Sequence, residues 1–172
     1  MELSNSDRER LRESNSLNVG GPPRDSEATL CIYSDNLDPN AISALIGCDP
    51  TRARRKGESD PRRPRTPPAP VGQWFLEAPV HLPFAQKLKH LLAATTGNSD
   101  AWRELRQEHA YFVRSAIFLR SWTEEFWLDP DTLTEMASRQ WGLALSKYSA
   151  EGEEILAAFL TDPKRAEGEP EA

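Results

Sequence analysis

The first dense apolar stretch is ATLCIYS, residues 28–34, where β-branched and aromatic side chains fall on both sides of an alternating pattern. Such a run predicts a strand with neighbours. The period then changes. In LDPNAISALIG, residues 37–47, Ile42, Leu45 and Ile46 fall at i, i+3 and i+4, one face of a helix. Asp38 is placed to cap it, Pro39 sits at the first helical position where its missing N–H costs nothing, and Gly47 is a natural stop. The same opening recurs in LDPDTLTEMAS, residues 128–138. There Asp129 caps, Pro130 starts the helix, Leu133, Met136 and Ala137 take the matching places, and Gly142 is available to end it. EEFWLD before this copy and LALSKYS after it read as strands. The plain account is chance recurrence of a common helix start. The matching hydrophobic phase favours a pseudo-repeated strand–helix–strand unit.

Between the copies, GQWFLEA (72–78) reads as a short strand, and LPFAQKLKHLLAATTG as a helix with Phe84, Leu88, Leu91 and Leu92 on one face. Asn98, Ser99 or Asp100 can cap a second helix, AWRELRQEH, which buries Trp102 and Leu105. AYFVRSAIFLR (110–120) is the longest strand, with Tyr111, Val113, Ile117 and Leu119 on one side and Phe112, Arg114, Ala116, Phe118 and Arg120 on the other. SWTEE then predicts a hairpin into EEFWLD. The order fits an α+β domain with a mixed or antiparallel sheet of about five strands and helices mainly on one face.

The flanks differ in character. Residues 1–27 are polar, include a Gly-Gly-Pro-Pro run, and predict a disordered tail. The domain is expected over 28–150, followed over 151–172 by a short helix at EILAAFL and a frayed acidic end. The chain of 172 residues is 38% hydrophobic with a formal net charge of −6, enough for one core but against a general nucleic-acid binder. No run approaches the roughly 18 apolar residues of a membrane span, and the N-terminus lacks a secretory apolar stretch, so the cytoplasm is the default expectation. Cys31 and Cys48 form no CxxC, and His81, His90 and His109 lack metal spacing, so neither a metal nor a cofactor is expected. Each cysteine reads first as a small buried hydrophobe.

One segment departs from this plan. TRARRKGESDPRRPRTPPAPV, residues 51–71, holds five prolines and predicts a long loop. Between Arg52 and Arg65 lie seven basic and two acidic residues, a local +5 that leaves −11 elsewhere. An arginine fork suits phosphate or carboxylate, whereas a solvated basic loop is the bland alternative. No aromatic residue occurs between Tyr33 and Trp74, which weakens a nucleic-acid reading. Thr51, Arg52, Arg55, Lys56 and Trp74 are the candidate ligand-binding residues: a hydroxyl, three cations and an indole for an anionic or planar group. Against them stands a structural role in the turn and core. Arg114 and Arg120 can extend a basic patch or border solvent, and Trp122 and Trp127 can form a contact pair or fill the core. Asp35, Asp38 and Glu58 lack a nearby nucleophile or phosphate cradle, so no catalytic residue is assigned.

CIYSDNLDPNAISALIGCDPTRARRKG, with GQWFLE further on and FWLDPDTLTEMA later, resembles the bacterial family named domain of unknown function 4279. The matching positions are Asp35, Asp38, Pro39, Leu45, Gly47, Pro50, Thr51, Lys56, Gly57 and Trp74. Ser34 stands where that family often has glycine, and the linker over 58–70 is longer and more basic than its pattern. The resemblance covers about residues 28–149 and implies a small α+β domain with no established reaction, cofactor or partner. The functional expectation is a non-enzymatic module that binds a protein or regulates one, an immunity or defence accessory being one such setting. The alternative is an enzyme or sensor that takes an anionic small molecule near residues 51–74.

Overall fold

The structure, a computed structural model, describes residues 25–61, 64–119 and 126–149. Strand β1 spans Asp25–Ser34, beginning three residues earlier than the apolar run suggests, because its N-terminal end is paired along β4. Helix α1 spans Pro39–Ile46, and β2 (Arg52–Arg54) and β3 (Gly72–Glu77) follow. Helices α2 (Phe84–Ala94) and α3 (Ser99–Glu108) lead into β4 (Ala110–Leu119). Helix α4 (Pro130–Ser138) and β5 (Gly142–Ser149) complete the chain of elements. The strands lie in the order β2-β3-β1-β4-β5, antiparallel except for the β4–β5 pair. The mixed five-stranded sheet is therefore as expected, but its membership is not. Residues 126–129 form no strand, and the fifth strand is instead β2, carved from the segment read as loop. A parallel β4–β5 pair needs a crossover, which α4 supplies.

Both Asp-Pro openings form caps. Asp38 accepts from Asn40 N–H at 3.2 Å and Asp129 from Thr132 N–H at 3.0 Å. Gly47 (φ 81°) closes α1 in the left-handed region and donates to the Ser43 carbonyl. The likeness stops at the caps. α1 buries Ile42 and Ile46, whereas α4 buries Thr132 and Met136 and leaves Leu133 49% exposed. The Thr132 hydroxyl donates to the Asp129 carboxylate, so the capping residue's own partner turns inward and Leu133 turns out. Gly142 does not end α4 either. Gln140 takes the left-handed φ of 56°, its N–H reaching the Ala137 carbonyl at 2.9 Å, and Gly142 opens β5.

The core lies between the helices and one face of the sheet. Leu30 and Ile32 of β1, Trp74 and Leu76 of β3, and Val113 and Ile117 of β4 pack against Ile42, Ile46, Phe84, Leu88, Leu91, Trp102 and Leu105. Two cations are buried with them. Lys87, on α2, donates to the Ser26 carbonyl at 2.7 Å and the Val80 carbonyl at 2.8 Å, tying the helix to β1. Arg139 reaches the Leu92 and Thr96 carbonyls at 3.3 and 3.1 Å, where α2 runs out of its own donors. Residues 1–24, Arg62, Arg63, Arg120, the predicted hairpin over 121–125 with Trp122, and the predicted helix after 150 lie outside the described residues.

Candidate functional site

The five candidate residues do not converge. Trp74 is fully buried on the helix face, its indole N–H donating to the Ser43 hydroxyl at 3.3 Å, so it is a core residue. Thr51 is structural: its N–H donates to the Phe75 carbonyl at 2.8 Å, and its hydroxyl accepts from Glu77 N–H at 2.9 Å, extending the β2–β3 ladder. Arg55 and Lys56 turn to the mouth of α1, where they meet Asp38 at 2.6 Å and Asp35 at 2.9 Å. These exposed pairs hold the loop to the helix cap and are worth at most about 1 kcal/mol each. Glu58 accepts from the Arg55 N–H at 2.8 Å, which closes the turn through Gly57. The three carboxylates considered for acid–base work are thus counterions and turn formers. Arg52 alone of the five faces a usable surface.

That surface is the sheet's other face. Side chains alternate along a strand, so the residues next to each core position point away from the helices. The register brings Arg52, Phe75, Cys31 and Phe112 into one row across β2, β3, β1 and β4. Neighbouring rows add Arg54, Gln73 and Tyr33 on one side and Glu77, Thr29 and Arg114 on the other. The Arg52 guanidinium lies 4.7 Å from the Phe75 ring centre and that of Arg114 5.9 Å from it, within cation–π range. Tyr33 packs edge-on against Phe75 at 5.5 Å and stacks on Phe112 at 6.0 Å. Further along, Phe118 (39% exposed) stacks on Tyr148 (54% exposed) at 5.1 Å.

Cys31 lies among these rings and is fully buried, although no helix among the described residues covers this face. Burial raises its thiol above the ordinary value, a larger effect than the opposing pull of Arg114. Burial likewise raises the Tyr33 hydroxyl. Cys31 and Cys48 are both free thiols. Neither cysteine is a reactive thiolate at neutral pH.

At the β2 end a cleft of about 470 Å³ opens between the strand and the following turn, lined by Arg52, Arg54, Glu58, Gln73 and Phe75. Arg52 spends one donor on Glu77 at 3.0 Å. Arg54 spends Nη2 on the Gln73 side-chain carbonyl at 3.3 Å, while its buried Nη1 has no partner. Such an orphaned donor costs about 1–3 kcal/mol, which an acceptor entering the cleft would offset.

The aromatic members escaped a reading of the loop because they come from four different strands. The one available signal was the mixed side of the 110–120 strand, where Phe112, Arg114 and Phe118 alternate. Among the described residues no helix is long and apolar enough to cross a membrane, and no three metal-ligating side chains cluster.

The model of the family described as domain of unknown function (DUF4279) matches residues 24–150. No curated protein and no solved structure matches the chain.

Proposed function

The chain belongs to the DUF4279 family, and from that premise we propose that it is a non-catalytic module that binds a protein partner, or regulates one, through the face of its sheet that no described helix covers. The observation that carries this reading is the composition of that face. Tyr33, Phe75, Phe112, Phe118 and Tyr148 are interleaved with Arg52 and Arg114 on a rigid sheet. Aromatic residues and arginine are the types enriched where protein interfaces concentrate their binding energy. Glu77 and Arg52 neutralise one another there, so the face favours an apolar surface edged with carboxylates over a polyanion.

The test is to identify a partner by capture from the native host and then measure its affinity for purified variants. Arg114→Ala combined with Phe118→Ala is expected to weaken binding about tenfold or more. Arg55→Ala, on the helix-cap side, is expected to change it less than about twofold. The reverse pattern would refute this surface.

A second reading follows from the unpartnered Arg54 Nη1: a small carboxylate or phosphate compound binds in the β2 cleft. A thermal-shift series with such compounds tests it. A ligand at 100 times its Kd raises stability by about 2.7 kcal/mol, and Arg54→Ala should abolish that gain. No shift with any anion would remove this alternative.

A further inference from the structure

The cleft beside β2 carries charges of both signs, and they are not all spent on one another. Arg52 gives Nε to Glu77, and its two terminal nitrogens form no hydrogen bond among the described residues. Arg54 gives Nη2 to Gln73 and leaves the buried Nη1 unpartnered. Glu58 uses Oε2 to accept from the Arg55 N–H at 2.8 Å, and its Oε1 has no partner among the described residues. All three side chains line the cleft, together with Phe75, Ala53, Pro61 and Asp60. Its volume of about 470 Å³ lies within the range of about 300–1,000 Å³ usual for small-molecule sites.

These unspent groups rank the ligands. A phosphate gains the arginines but brings its extra negative charge up to Glu58. A bare carboxylate avoids the second charge and leaves Glu58 unmatched. A molecule with a carboxylate and an ammonium group satisfies both signs. We propose that the cleft binds a free amino acid with an apolar side chain. Its carboxylate lies on Arg52 and Arg54, its ammonium on Glu58 Oε1, and its side chain against Phe75 and Pro61. This inference rests on the second reading above, that a small anion enters the cleft, and narrows it to one ligand class.

The walls are fixed before any ligand arrives. Arg52 and Arg54 stand on β2, which is held in register along β3. Glu58 is held by the turn, where Gly57 N–H donates to the Ala69 carbonyl at 2.8 Å and Ala69 N–H to the Glu58 carbonyl at 2.9 Å. The Arg55 N–H then orients the carboxylate itself. Groups held in place this way lose little freedom on binding. A donor sheltered from water, as Arg54 Nη1 is, gains most from an acceptor.

Magnetic-resonance titration of the full chain near neutral pH, following the backbone amides of Arg52–Glu58 and Gln73, tests the inference. L-leucine is the probe. It is set against isocaproate, which lacks the ammonium, isoamylamine, which lacks the carboxylate, and inorganic phosphate. Leucine is expected to bind about tenfold or more tighter than each of them. Glu58→Gln keeps an oxygen for the Arg55 N–H but removes the charge, so leucine should fall to the level of isocaproate while isocaproate is not weakened. Arg54→Ala should weaken both. If isocaproate or phosphate matches leucine, the amino-acid inference is overturned and the anion reading stands. A preference for leucine that survives Glu58→Gln overturns it in the same way. If isoamylamine matches leucine, or none of the anions moves these amides up to about 50 mM, the inference and the anion reading fall together.

Discussion

Trp74 and Phe75 are adjacent on one strand and belong to different parts of the protein. Trp74 enters a core to which all four described helices contribute, with a hydrogen bond to Ser43 across the layer. Phe75 is nearly as buried, yet what covers it is Tyr33 and the guanidinium groups of Arg52 and Arg114. The first kind of cover is fixed backbone and close-packed hydrocarbon. The second is made of side chains that touch Phe75 through ring and cation–π contacts. One face of the sheet therefore holds the fold together, and the other is the one to which the proposed partner is assigned.

Four substitutions probe that contrast, beginning with the largest expected loss. Trp74→Ala empties the helix face and should cost about 3–5 kcal/mol, enough to threaten folding, as read from denaturant midpoints. Gly72→Ala tests how tightly the same face is closed. A Cβ there would come 2.5 Å from Leu37 Cβ and 2.6 Å from the Ser34 carbonyl, so about 1–3 kcal/mol is expected in the same assay.

Asp129→Asn tests the cap of α4. Lys89, at 2.8 Å, and then the Thr132 N–H hold its carboxyl well below the usual carboxylate range. Its contribution is fully present above about pH 4, the ordinary carboxylate value, and is lost as pH falls through the lowered folded value. The variant should therefore lose stability at neutral pH and show a flatter decline toward acid in a melting series. An unchanged acid decline would mean that the Lys89 contact is not formed. Arg114→Ala, on the face away from the described helices, should change stability by less than about 0.5 kcal/mol while weakening binding of the proposed partner. A large loss of stability there would erase the distinction between the faces.

The edge strands sharpen the same lesson. Burial of Ile42 and the caps at Asp38 and Asp129 follow from a few consecutive residues and were legible in the chain. The loop from 51 to 71 was not. Its β2 strand exists because Arg52–Arg54 finds Phe75, Trp74 and Gln73 alongside, and its turn is pinned by the Gly57–Ala69 and Ala69–Glu58 backbone bonds. The candidate site fared likewise. Arg52 kept a place in it, whereas Trp74 moved to the core, and Arg55 and Lys56 were claimed by Asp38 and Asp35. Nothing in the spacing marks Lys87 as buried either. Three oxygen contacts from Ser26 and Val80 make that possible, and both residues lie outside its helix.

The sequence by itself determined what depends on near neighbours: caps, helix faces, the alternation of each strand, and membership of an α+β family. Tertiary structure alone decided which alternating positions share a face, which cations find counterions, and which strand is left at the edge. The physical reason is range. A cap or a helical stripe is completed within a few residues, but a sheet face is assembled from segments separated by tens of residues, and a one-residue change of register would send every side chain to the opposite side.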